Sequence, residues 1–134
     1  MRPIPLGTKG SFFLTVTSAH LANQFKDPIL PEVFATPMLV LTLENAALNA
    51  IREFLDVGES AVGSAINIRH LAATPVGHRV TAEAEVAGID SRRIVFNVRA
   101  FDEHQEIGNG THERIVVDRA RFDAKLAVKS KTRL

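Results

Sequence analysis

Four stretches in the second half of the chain alternate apolar and polar side chains, and one stretch before them does not. The alternation is clearest in Val80, Ala82, Ala84 and Val86 against Thr81, Glu83 and Glu85, a strand with one face on a core and the other in water. The same period predicts strands over 60 to 71, 92 to 102 and 106 to 117 beside this one at 79 to 88. Asp90-Ser91 and Glu103-His104-Gln105 read as tight connections between neighbouring runs, which makes the set a meander. An earlier β-branched and aromatic run, FFLTVTS at 12 to 18, predicts a first strand, and Pro28 and Pro31 break the loop after it. From Pro37 to about Asp56 alternation gives way to helix formers, and Thr36 followed by Pro37 reads as a cap and a first-turn proline.

One strand, one long helix and then an antiparallel run predict an α+β domain in which a curved antiparallel sheet wraps a central helix. This is the hotdog layout, and a cystatin-like or other small α+β sheet shares the element order. With 134 residues there is room for a single domain, without repeats or a Pro/Gly/Ser-rich linker.

Composition narrows the function. There are no cysteines, which excludes disulfides, thiolate metal sites and a Cys nucleophile and suits a reducing compartment. The longest uncharged apolar stretch, Val33 to Leu43, is interrupted by Thr36, Pro37 and Thr42 and is too short to span a membrane. The opening MRPIPLGTKG lacks the apolar region of a secretory signal, so a cytoplasmic protein is expected. Net charge is +1, concentrated in a basic tail at 119 to 134 (Arg119, Arg121, Lys125, Lys129, Lys131 and Arg133 against Asp123) that leaves the body mildly acidic. Without a basic body, Trp or Tyr, nucleic-acid binding is not expected. A solvated tail explains those charges, and phosphate binding is the alternative. The histidines (His20, His70, His78, His104, His112) show no metal-ligand spacing, and Gly108 and Gly110 lack the rest of a dinucleotide motif, so no metal or cofactor is implied.

The helix carries the first chemical signal. At about 100° per residue, Thr42, Asn45, Asn49, Arg52, Glu53 and Asp56 share one arc, the expected solvent or interface stripe. Glu44 stands apart among Val40, Leu41, Ala47 and Leu48, where a charge needs a partner or a task. A structural ion pair would satisfy it, and so would a catalytic role. His70 ends a strand whose alternating face reads Val62, Ser64, Ile66, Ile68, His70, the face expected against the helix, where the imidazole could meet Glu44. Thr36 is explained as a helix cap, and a hydroxyl at a helix N-terminus also stands where an oxyanion is favoured.

Taken together, PEVFATP (31 to 37), the Glu44 helix, AVGSAINIRHLAATPVG (61 to 77) and EIGNGTHER (106 to 114) resemble the fluoroacetyl-CoA thioesterase branch of the hotdog-fold superfamily over roughly residues 29 to 128. The resemblance implies hydrolysis of an acyl-CoA thioester, with Thr36, Glu44 and His70 on the family's catalytic threonine, glutamate and histidine. Gly63 falls on the glycine whose backbone N–H is associated with the thioester carbonyl, and Arg114 on a family arginine of the last strand. It also implies a homodimer whose two halves share a site region. Under strict alternation Gly63 points away from the His70 face, although a backbone donor lies in the sheet plane. The chain departs from the family at Asp27-Pro28-Ile29-Leu30, where Leu30 replaces a lid phenylalanine, so the hydrolysis is carried over and the fluorinated substrate is not. His70 is expected as general base and acid, Glu44 as its orienting charge or as the attacking group, and Thr36 as nucleophile or positioner of water. A non-catalytic hotdog module that binds an acyl-CoA is the alternative from another class.

Overall fold

The computed structural model describes residues 1–132; Arg133, the last basic residue of the tail, and Leu134 lie outside them. The elements in chain order are β1 (Lys9–Thr15), a 3-10 turn (Ser18–His20), α1 (Ala22–Phe25), α2 (Thr36–Ile51) and a second 3-10 turn (Arg52–Phe54). They continue with β2 (Glu59–His70), β3 (Arg79–Asp90), β4 (Arg93–Phe101), β5 (Glu106–Asp118) and α3 (Arg119–Lys131). The five strands form one antiparallel sheet in the order β1-β3-β4-β5-β2, curled around α2 as the hotdog layout requires.

The alternating residues meet the expectation. Val80, Ala82, Ala84 and Val86 of β3 and Ile94, Phe96, Val98 and Ala100 of β4 are all buried and face Leu39, Leu43, Ala46, Ala47, Ala50 and Ile51 of α2. Each large member of this set stabilises the fold by about 1.5–3 kcal/mol through the area it removes from water. Small residues set how close the helix lies. A Cβ on Gly10 of β1 would fall 2.2 Å from the Ala50 nitrogen and 2.5 Å from the Ala46 carbonyl oxygen, so strand and helix backbones touch there. Asn49 fastens the same crossing by donating from Nδ2 to the Ser11 carbonyl at 2.8 Å. Register shifts between Gly63 and Ala65, between Val86 and Gly88 and between Ala100 and Phe101 add the twist that lets the sheet curl.

The structure differs from the local expectations at four points. The first strand lies three residues earlier than FFLTVTS suggested, and Thr17 and Ser18 instead enter the 3-10 turn. Thr36 is the first residue of α2 rather than its cap; Ala35 holds the cap position, and the Thr36 hydroxyl is used elsewhere. Of the polar arc, Asn49, Arg52, Glu53 and Asp56 are exposed as expected and Asn45 is half-buried. Thr42 is the exception: it is fully buried, its hydroxyl donating to the Leu39 carbonyl at 2.7 Å. A second, apolar open flank carries Pro37, Leu41 and the half-buried Val40, Glu44 and Leu48. Finally, the basic tail is helical through Lys131, its first turn capped by the Asp118 carboxylate, which accepts from the Arg121 N–H at 2.9 Å.

Replacing Gly10 by alanine should destabilise the protein by at least about 1–3 kcal/mol, since backbone atoms of α2 cannot give way as a side chain would. Denaturant unfolding measures it, and an unchanged midpoint would contradict the close seating of α2.

Candidate active site

Two of the expected groups meet at the start of α2. Thr36 Oγ1 lies 2.8 Å from His70 Nδ1, joining the first turn of the helix to the last residue of β2. They share the wall of a pocket of about 340 Å³ with Lys26, Leu30, Phe34 and Ala72. Burial holds the His70 imidazole below its ordinary value of 6.5 and favours the neutral ring. Neutral Nδ1 can accept the threonine proton, which is how a base activates a hydroxyl. Nε2 is buried without a hydrogen-bond partner among the described residues.

Glu44 lies elsewhere, eight residues further along α2 and so about 12 Å along its axis. Its carboxylate faces Gly63, Arg114 and His112. Glu44 Oε2 is 3.9 Å from Arg114 Nη1, and a Cβ on Gly63 would sit 2.8 Å from that oxygen. Glycine at 63 is what leaves room for the carboxylate over the strand. The Glu44 side chain is 39% exposed and borders an open pocket of about 390 Å³ with Pro37, Leu41, Asn45 and Arg114. It is therefore less buried than its apolar neighbours suggested. Arg114 is held from several sides, with Nη2 donating to the Ala61 carbonyl at 2.8 Å and Nη1 to the Glu44 carbonyl at 3.4 Å.

The expected encounter of His70 with Glu44 does not occur within one chain. Among the described residues, no hydrogen bond or ion pair joins them, and Gly63, under the Glu44 carboxylate, is roughly 20 Å along β2 from His70. The site residues thus form two clusters, Thr36 with His70 and Glu44 with Gly63 and Arg114.

A bulge places both clusters on the helix side of the sheet. Gly63 pairs with Arg114 and Ala65 with Glu113, which leaves Ser64 as an extra residue. Its hydroxyl donates to the Glu113 carboxylate at 2.6 Å. Paired residues of antiparallel strands share a face, so Ile66 lies with His112, His70 with Gly108 and Gly63 with Arg114, all toward the helix. Strict alternation had set Gly63 opposite His70 and put Val62 and Ser64 on the His70 face. The extra residue reverses parity for everything before it.

Sequence reasoning missed His112. It is 2% exposed, and its Nε2 lies 3.2 Å from Arg114 Nη1. The signal was available in the spacing of two between His112 and Arg114 on one strand, which puts both on one face. No helix among the described residues is long and apolar enough to cross a membrane.

The family described as fluoroacetyl-CoA-specific thioesterase matches residues 16–120. A fluoroacetyl-CoA thioesterase of Streptantibioticus cattleyicolor is 44% identical over 100 residues, covering 75% of this chain and 72% of that protein. The solved structure of a fluoroacetyl-CoA thioesterase superposes with a TM-score of 0.89 at 35% identity, over 98% of this chain and 99% of the other. A threonine-to-serine variant of a fluoroacetyl-CoA enzyme, solved in complex with acetyl-CoA, gives 0.89 at 35% identity over 97% and 100%. A Thermus thermophilus hypothetical protein described as a thioesterase superfamily member gives 0.92 at 30% identity over 98% and 96%.

The buried imidazoles imply a pH dependence of stability. Burial lowers both His70 and His112 from 6.5, so as pH falls the unfolded chain takes up these protons before the folded one does. Stability should be full above pH 6.5 and decline below it, before the carboxylates begin to protonate. Denaturant unfolding at pH 7.5 and 5.5 checks this, and equal midpoints would contradict it.

Proposed function

Because the chain belongs to the fluoroacetyl-CoA-specific thioesterase family and is a hotdog-fold thioester hydrolase, we propose that it cleaves a small acyl-CoA in the cytoplasm as a homodimer. In this reading each site takes Thr36 and His70 from one chain and Glu44, Gly63 and Arg114 from the other. The observation that carries the chemistry is the 2.8 Å contact of the Thr36 hydroxyl with a half-buried imidazole, whose burial favours the neutral form, on the wall of a pocket.

Two features support the dimer. β2 is an edge strand of twelve residues whose stretch from Gly63 to Asn67 is exposed, an edge of the kind that pairs with another strand unless something blocks it. Beside it, the open flank of α2 leaves Leu41 39% exposed, and Ile66 is 36% exposed on the same side of the sheet. Two copies running antiparallel along β2 would bring the Gly63 end of one to the His70 end of the other and unite the two clusters.

Hydrolysis then runs as follows. His70 takes the proton of Thr36, or of a water that Thr36 holds, as that oxygen attacks the thioester carbonyl. The Gly63 N–H receives the oxyanion, the carbon–sulfur bond breaks, and His70 returns the proton to the departing thiolate. If Thr36 is acylated, water repeats the cycle to release the acid. Glu44 supplies the negative charge that stabilises the imidazolium, and Arg114 holds that carboxylate over Gly63. The fluoroacetyl group is not carried over, because Leu30 lines the pocket where the family has its lid phenylalanine.

Glu44→Gln and His70→Ala should each lower thiol release from acyl-CoAs at least ~100-fold. Mixed and reassembled, the two variants should recover about a quarter of wild-type activity, since a symmetric shared-site dimer regains one intact site in each heterodimer. Near wild-type hydrolysis by both variants would overturn the chemistry, and no recovery on mixing would overturn the sharing. Tight binding of acyl-CoAs by the wild-type protein without thiol release would make it a binding module.

Gly63→Ala should fold normally, because the 2.8 Å clash is with the mobile end of Glu44, yet lose roughly 10²-fold in kcat through displacement of the carboxylate. Unaltered kcat would remove Glu44 from the site.

A further inference from the structure

His112 has no part in the reaction described above, yet both of its ring nitrogens are engaged. Nδ1 lies 2.8 Å from the Ala65 carbonyl oxygen, which can only accept, so Nδ1 carries the proton. Nε2 lies 3.2 Å from Arg114 Nη1, which can only donate, so Nε2 presents its lone pair. The two neighbours together demand the neutral Nδ1–H tautomer. Phe96 holds the ring plane by stacking, with centroids 5.8 Å apart and planes inclined by 23°. Burial is the largest influence and opposes protonation, as does the adjacent Arg114 charge; the Ala65 hydrogen bond and, more weakly, Glu44 and Glu113 favour it without offsetting the burial.

What His112 holds at each end is part of the site. Ala65 is the first paired residue after the bulge at Ser64, which turns Gly63 toward the helix. Arg114 reaches Glu44 through the same Nη1 that His112 receives, at 3.9 Å to Oε2 and 3.4 Å to the backbone oxygen. His112 Cε1 would also stand 3.4 Å from a Cβ on Gly63, so the ring forms one wall of the space that Glu44 uses.

We propose that His112 is a positioning residue for hydrolysis: its neutral Nδ1–H tautomer fastens the β2 bulge at one end and aims the Arg114 guanidinium at the other, holding the Glu44 carboxylate over Gly63. The proposal rests on the reading of Glu44 as part of the reaction. It goes beyond that reading in assigning a task to a residue that acts through Arg114 and Glu44.

Three variants separate the two ends. His112→Phe keeps the stacking ring and drops both polar contacts. His112→Asn places an amide donor near the Ala65 carbonyl but is too short for Arg114, and His112→Gln restores an acceptor toward Arg114. The Phe and Asn variants should lose between ~10- and ~100-fold in kcat with KM changed little, and the Gln variant should recover part of the loss. Long-range 1H–15N spectra of the wild-type ring should show the Nδ1–H tautomer, and the Arg114 side-chain resonances should shift in His112→Asn. An Nε2–H tautomer, or folded Phe and Asn variants with wild-type kcat, would overturn the proposal. Should His112→Phe fail to fold, His112→Asn and the wild-type tautomer decide. The spectra do not depend on turnover, so an inactive wild-type protein or a fully active Glu44→Gln variant would defeat the functional reading while the tautomer still tests the strut.

Discussion

The depth at which α2 sits in the sheet is the constraint from which the site follows. Gly10 brings the β1 backbone against Ala46 and Ala50, and Ala82 and Ala84 of β3 are buried on the same concave face. A helix this close to the strands needs no long side chain to reach them. Thr36, with a single-carbon reach, touches His70, and the Glu44 carboxylate lies directly over the Gly63 backbone. A helix held further out by bulkier contacts would break both arrangements, whatever residues stood at those positions.

Electrostatics divides the two clusters by type. At the Thr36 end a partly buried imidazole is kept neutral, as a proton acceptor must be. At the Glu44 end a buried guanidinium is surrounded by acceptors, namely the Ala61 and Glu44 carbonyls, His112 Nε2 and the Glu44 carboxylate. Burying an arginine is unfavourable unless its donors are occupied, and here most of them are. The charge that remains is directed at a half-exposed carboxylate bordering an open pocket, which is where a fixed charge acts on an approaching group. The hydroxyl–imidazole contact and the carboxylate–guanidinium pair thus stand at the start and the middle of one helix.

Separation also gives the open flank of α2 its meaning. A helix whose apolar residues extend beyond one face buries that face under its own sheet and leaves Pro37, Leu41 and their neighbours uncovered beside the free edge of β2. Covering that flank would remove apolar surface from water and enclose Glu44 in the same step. In the proposed dimer, stability of the assembly and the low-dielectric setting that thioester chemistry favours would share one surface.

Periodicity alone determined most of the architecture. The alternating runs of β3 and β4, the change to helix formers at Pro37 and the tight connection at Asp90-Ser91 are local properties, and all reappear in the fold, where Ser91 takes the positive φ of 58° that such a turn uses. Residue type also singled out Glu44 and His70, a carboxylate and an imidazole on apolar faces, and position singled out Thr36, a hydroxyl at the start of the helix. Which of them touch was decided by tertiary structure. That outcome depends on the seating depth of α2 and on one extra residue at Ser64, and neither leaves a periodic mark. A bulge reverses the facing of every residue on one side of it while the spacing in the chain stays the same, so Gly63 and His70 read as opposed and lie on the same face. Strand pairing likewise brings the Ala65 carbonyl to His112, and a contact between residues forty-seven positions apart cannot be read from the pattern around either one.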